Sequence, residues 1–212
     1  MYKRLLFFLG LQADAIGVAL LVKIGFGASP LGVLIDNFFV LLPLTIGMVS
    51  FLYHFSALCL AKILSKDKPF YFSALLYGFL FSLSIEIYYP LFEGAQNLSI
   101  LLRIPLIFLS LFLIDLCRYF VRYGKGVKLS SVVLIYSVSN RFKLNINHST
   151  KVVSIGFVVL GLIASFFHRE MFFYQISPFT AIYVFVGGYF LMFFEKTNFV
   201  YAKTPYKIKK EA

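Results

Sequence analysis

Acidic side chains are scarce in this chain. Nine Asp and Glu stand among 212 residues, against 20 Lys and Arg, and charged residues of both signs make up only 14%. Soluble domains use nearer a quarter, so an ordinary water-facing surface is excluded. Cysteine occurs twice, at Cys59 and Cys117, each inside an apolar run. Two isolated thiols exclude a disulfide framework and a Cys-based metal site, and both read as small buried hydrophobes. Tryptophan is absent, which leaves tyrosine as the aromatic anchor at any membrane–water boundary. There is no phosphate loop, no His-Glu-x-x-His helix and no nucleophile-elbow pentapeptide. Neither an enzyme, nor a metal site, nor a bound cofactor is expected.

What is present is apolar. Hydrophobic residues make up 60% of the chain, with 27 Phe and 14 Tyr, and the mean hydropathy is +0.87. Lipid is the natural solvent for so much apolar surface. The net charge of +11 does not point to nucleic acid, because Lys and Arg gather at the ends of apolar segments rather than on one basic face. Six segments reach the length of about 20 apolar residues that a bilayer crossing needs: Leu5–Ile24, Leu44–Ala61, Phe70–Leu91, Leu98–Phe120, Val152–Phe167 and Met171–Phe194. The first, "MYKRLLFFLGLQADAIGVALL", resembles a signal peptide, but Asp14 interrupts its apolar body and no polar domain follows. A retained first helix is expected. Two shorter apolar stretches remain, Ser29–Pro43 and Leu129–Asn140.

Basic residues accumulate in cytoplasmic loops. Lys3 and Arg4, then Lys62, Lys66 and Lys68, then Arg118 through Lys151, and finally the tail from Lys196 to Lys210 all read as inside, whereas the Glu93–Asn97 loop has no base and reads as outside. Only one crossing can join an outer Gly25 to an inner Lys62. Ser29–Pro43 must therefore leave and return on the outer side, and Leu129–Asn140, with bases on both flanks, on the inner side. Both are expected to be re-entrant or interfacial.

The two interruptions look alike. "GFGASPLGVL" begins at Gly25 and "GKGVKLSSVV" at Gly124; Lys23 precedes one and Arg122 the other at matching offsets. The last spans of the two halves share Gly and Glu eight apart, Gly78 with Glu86 and Gly187 with Glu195. Each half is span, short segment, span, span. Three crossings per half invert the second half relative to the first, as in many carriers whose interrupted segments mark the site. The expected architecture is an all-α multi-pass membrane protein of about six transmembrane helices plus two short segments. Residues 1–97 form one repeat, 98–196 the other, and 197–212 a basic cytoplasmic tail.

"GVALLVKIGFGASPLGVLIDNFFVLLPLTIGMVS", with its Gly25-x-Gly27-x-x-Pro30 break and its Thr45-x-Gly47 helix start, resembles the YczE/YyaS/YitT-type integral membrane proteins. "KDKPFYFSALLYGFLFSLSIEIYY" resembles that family's third helix, and "SNRFKLNINHSTKVVSIGFVVLG" its second-half return and following helix. Leu31-Gly32 stand where the family often has Trp-Asp, and Leu129 where the second half often has proline. The resemblance implies a bacterial multi-pass protein of the cell membrane, often suspected of transport, and supplies no reaction.

Ionisable groups inside spans are costly and tend to face a protein interior or a wet cavity. Asp14 lies mid-span on a stripe with Gly10, Ala13 and Gly17, at helical spacings of three and four. Ser50, His54, Ala57 and Ala61 repeat the device in the second span, and Gly78, Ser82, Glu86 and Tyr89 in the third. Such faces pack closely and leave a polar seam; they would serve equally well for oligomer contacts. Asp14 is the first candidate for a cation or proton site, or else a carboxylate paired with His54 or with a freed backbone group. His54 either handles protons or packs. Glu86 lies toward the outer interface. Asp36, beside Asn37, either faces a vestibule or caps its turn. Gly27, Ser29 and Pro30 shape the break: glycine permits the reversal, and proline starts a short helix whose free N–H groups can meet a ligand. Asp115 is expected to pair with Arg118, and Lys23 to snorkel. Two functions fit: a secondary transporter or substrate-binding subunit for a small solute or ion, and a scaffold that binds a partner and moves nothing.

The charge pattern makes a testable statement about topology. With Cys59 and Cys117 removed, a cysteine at Ser65 is expected to be shielded from an impermeant thiol reagent in intact cells, and one in the Glu93–Asn97 loop to label. Labelling of Ser65 from outside would mean that the short segment crosses.

Overall fold

The computed structural model of the chain describes residues 2–25, 29–65, 71–123, 129–167, 180 and 193–194. Seven helices appear there: α1 (Tyr2–Ile24), α2 (Pro30–Leu41), α3 (Ile46–Leu64), α4 (Phe72–Tyr88), α5 (Ile100–Tyr123), α6 (Ser130–Phe142) and α7 (Ile146–Phe166). Single 3-10 turns at Pro90–Phe92 and Ala95–Asn97 lead from α4 to α5. No strand occurs among the described residues. Five helices, α1, α3, α4, α5 and α7, are long and apolar enough to cross a bilayer. The architecture is that of a multi-pass membrane protein. The sixth expected span, Met171–Phe194, lies outside the described residues apart from Thr180, Phe193 and Phe194.

Helix starts are chemically explicit. Ser29 Oγ accepts from the Gly32 N–H at 3.1 Å, Thr45 Oγ1 from Met48 at 3.3 Å, and Asn145 Oδ1 from His148 at 2.8 Å. Each satisfies an N–H that the helix itself leaves without a partner. Asn145 also explains why α7 begins before the expected Val152: the polar turn Ile146–Lys151 is helical because it is capped. Pro30 stands in the first turn of α2, where its missing N–H costs nothing. At 12 and 13 residues, α2 and α6 span about 18 to 20 Å at 1.5 Å per residue, well short of a bilayer core of about 30 Å.

The starts of the two short helices, and of the long helices that follow them, stand 100 residues apart. The N-cap positions are Ser29 and Leu129 for the short helices, and Thr45 and Asn145 for the long helices that follow. Val33 and Val133 are both buried. Asn37 Nδ2 donates to the Val33 carbonyl at 2.8 Å, and Ser137 Oγ to the Val133 carbonyl at 2.9 Å. Packing is reciprocal: α2 lies on α7, α6 lies on α3, and α1 lies on α5.

Helices α1 and α5 run antiparallel. A Cβ on Gly10 would stand 3.1 Å from Phe120 Cβ, and one on Gly17 would stand 2.9 Å from the Ser110 carbonyl oxygen. The α1 glycine face is therefore spent on a helix of the same chain. The end of α1 and the start of α3 also meet the same end of α4. Lys23 Nζ lies 3.9 Å over the Tyr89 ring, and the Gly47 N–H donates to Glu86 Oε2 at 2.6 Å. The intervening segment with α2 thus leaves and returns on one side of the bundle. One apolar core lies among α1, α4 and α5, around Leu11, Ala15, Phe81 and Ile114; a second lies among α2, α3, α6 and α7, around Ile35, Val49, Leu58 and Val133. Phe72, Ile87, Leu101 and Phe166 face outward, exposed on the surface that lipid would cover.

Gly17→Val is expected to destabilise the protein by about 1–3 kcal/mol, because the added methyls meet backbone that cannot yield. Gly156→Val is the control, since a Cβ there meets nothing within 4 Å. Melting temperatures in detergent should fall for the first and stay near wild type for the second.

Candidate functional site

Asp14 sits where α1 meets α4 and α5. The Tyr77 hydroxyl, from α4, donates to Asp14 Oδ2 at 2.7 Å, and the Tyr77 oxygen lies 3.2 Å from Cys117 Sγ on α5. His54 is not the partner of Asp14. Its Nδ1 hydrogen-bonds Ser130 Oγ, the first residue of α6. The imidazole packs edge-on to Tyr77 at 6.4 Å, Phe81 at 5.4 Å and Tyr53 at 5.0 Å. Gly78 makes this possible, because a Cβ there would stand 2.5 Å from His54 Cβ. A polar seam therefore runs from Asp14 through Tyr77 and past His54 to Ser130, with α1, α3, α4, α5 and α6 all contributing. Tyr77, Cys117, His54 and Ser130 are buried, and Asp14 is partly so.

The seam holds more polar capacity than it uses. His54 Nε2, Ser50 Oγ and Tyr53 Oη are buried on successive turns of α3 without a hydrogen-bond partner. An unsatisfied buried polar group costs about 1–3 kcal/mol, so three on one helix face need an account. No group of three or more His, Cys, Asp or Glu that could hold a metal occurs among the described residues.

The other expected site residues lie apart from the seam or build the scaffold. Gly27 is outside the described residues. Ser29 caps α2 and Pro30 opens it, as proline was expected to do. Asp36 is buried within α2 and accepts from the Tyr89 hydroxyl at 3.4 Å. Glu86 is solvent-exposed and receives the Gly47 N–H in the first turn of α3, where a carboxylate suits the positive helix end. Asp115 pairs with Arg118 at 2.8 Å, three residues on, as its spacing suggested. Lys23 lies against the ring of Tyr89. The structure thus gathers Asp14 and His54 in one region, and Asp36 and Glu86 near the end of α4.

Sequence reasoning did not single out Tyr53, Tyr77 or Ser130 and set Cys117 aside as packing. The signal was there for the tyrosines: a phenol in the middle of an apolar span must find a partner for its hydroxyl or leave it orphaned. Tyr77→Phe removes the donor to Asp14 and is expected to cost about 1–3 kcal/mol. Tyr88→Phe, which loses the partly buried bond to Gln12 Oε1 at 2.8 Å, should cost less. Thermal unfolding of the two variants beside wild type measures the difference.

No curated protein and no solved structure matches the chain. A family model does match, over residues 1–196. The chain belongs to a family of unknown function, DUF6198.

Proposed function

We propose that this protein is a cell-membrane carrier, or the substrate-binding membrane subunit of one, for a small solute or ion that engages the seam from Asp14 to Ser130. The observation that carries this reading is the seam itself. It runs from α1 to the start of α6, a helix too short to cross, with three buried polar atoms left open on α3. Support comes from the 100-residue offset, the reciprocal packing of α2 on α7 and α6 on α3, and the antiparallel α1 and α5. These are the features of an inverted repeat whose interrupted segments flank a midplane site. In this reading α2 re-enters from outside and α6 from the cytoplasm, with both termini cytoplasmic, and the glycine motifs from Gly25 to Gly47 reflect kinship with the YczE/YyaS/YitT-type proteins. The lipid bilayer is its surroundings, and it carries out no catalysis.

A scaffold that moves nothing is the second reading, favoured by one contact: Asp14 already holds the Tyr77 hydroxyl. The small-residue faces give it less support, since Gly10, Gly17 and Gly78 are filled by neighbours in the same chain.

Asp14→Asn separates the two. Asn keeps the shape and can still accept from Tyr77, but carries no charge. In proteoliposomes tested with a panel of solutes, the variant is expected to lose at least about tenfold of any ion-coupled flux, some 1.4 kcal/mol, at unchanged melting temperature. Wild-type flux in the variant would remove Asp14 from the mechanism, and no flux for any solute in wild type would favour the scaffold.

A further inference from the structure

Helices α3 and α7 line one cavity without being each other's main partner: α6 lies on α3, and α2 lies on α7. The short helices back only part of the long ones, and a hollow of 360 Å³ remains among the four. Sites for small molecules fall in the range of about 300–1,000 Å³.

Its shape follows from α3, which forms the floor. Val49, Leu52, Tyr53, Ser56, Ala57 and Leu60 all line it, an i, i+3, i+4, i+7, i+8, i+11 series that marks one face of a helix. The rise from Val49 to Leu60 makes a groove about 16 Å long, about half the hydrocarbon core of a bilayer. Phe38 and Leu42 of α2, Leu134 of α6 and Phe157 of α7 close its sides. No charged side chain among the described residues lines it. Tyr53 offers its ring, edge-on to Phe157 at 5.4 Å, while its hydroxyl is buried.

The groove is continuous with the outer apolar surface. Leu52, Leu60 and Leu160 line it and are each nearly half exposed, and Met48 and Ile63 of α3 and Ile155 and Val159 of α7 extend the same outward faces. This is the surface that lipid covers in a bilayer. An apolar hollow does not hold water, and left empty it deprives its walls of dispersion contacts. The uncharged lining excludes an ion, which needs polar partners when it leaves water. A volume of 360 Å³ spread along that length gives a mean bore of about 5 Å, which admits a carbon chain whose atoms touch at about 4 Å but not a helix about 10 Å across. Phe194, at the end of the sixth expected span, packs on Phe112 and Tyr119 of α5, a helix that takes no part in the groove.

We infer that this groove is a binding site for one hydrocarbon chain of a bilayer lipid, held lengthwise along α3 as a stoichiometric ligand. Recognition is of the chain and not of the headgroup, because the lining carries no charge. The site stands under either the carrier or the scaffold reading.

The test uses the full-length protein purified in digitonin, whose hydrophobe is a rigid ring system, so that no detergent alkyl chain competes. Dioleoyl phosphatidylcholine and dioleoyl phosphatidylglycerol are titrated in separately. Native mass spectrometry counts bound lipid, and melting temperature is the second readout. Each lipid is expected to fill one site saturably, with similar affinity, and to raise the melting temperature. Ser56→Phe places a ring in the groove and should weaken that site at least about tenfold, some 1.4 kcal/mol. Without lipid it should melt at or above the wild-type temperature, as cavity-filling variants do. Ile155→Phe, on the outward face of α7 beside the groove, should bind as wild type does. Ala57→Leu fills the groove from its floor and serves if Ser56→Phe does not fold. No saturable site, or the same affinity in wild type and groove-filling variants, overturns the proposal. Binding of phosphatidylglycerol alone would place recognition in the headgroup and overturns it too. A lipid-free dimer that Ser56→Phe dissociates would assign the groove to a second copy of the chain instead.

Discussion

The close approach of α1 to α5 sets the geometry on which the seam depends. At Gly17 there is no side chain, so the backbone of α1 lies against the Ser110 carbonyl, and at Gly10 it lies against Cys117 and Phe120. That contact, one helical turn from Asp14, brings the carboxylate within reach of a tyrosine from α4 and beside a cysteine from α5. A Cβ at Gly17 would stand 2.9 Å from the Ser110 carbonyl oxygen, so a larger residue there forces α1 or α5 to shift. Gly78 does the same for α3 and α4, where the imidazole of His54 occupies the space of its absent Cβ.

In a hydrocarbon solvent every polar group must find its partner inside the protein. Most here do so locally. Ser82, Ser110 and Ser137 each donate to the carbonyl four residues back, and Asn37 does likewise. Helix ends are met by Ser29, Thr45 and Asn145, and by Glu86 from another helix. Against that economy the exceptions stand out. The start of α6 has no side-chain cap, and Ser50, Tyr53 and His54 of α3 each leave a buried polar atom open. Three buried polar atoms left open on one helix of an otherwise largely satisfied bundle call for a physical explanation.

Glu86 shows how position changes the meaning of a residue. On its own helix it continues the stripe of Gly78 and Ser82, and reads as one more polar group of an intramembrane face. In the fold that stripe does lie along α3, but its last member reaches the start of that helix and satisfies a backbone N–H. Its role there is to hold the ends of α3 and α4 together.

The sequence by itself determined the apolar class, the approximate extents of the long helices α1, α3, α4 and α5, the two short helices, and the proline start of α2. These are local matters: hydropathy, the spacing of small residues, and the chemistry of Ser, Thr, Asn and Pro at helix starts act within a few residues. The Asp115–Arg118 pair was legible for the same reason, being three residues apart on one helix. Only the tertiary structure decided that Asp14 meets Tyr77, 63 residues away, and that His54 meets Ser130 rather than Asp14. Such contacts depend on the rotation and crossing of helices, which many different packings of the same apolar faces could satisfy. Periodicity tells which face of a helix is inward, but the partner on that face is chosen by where glycines let two backbones come close.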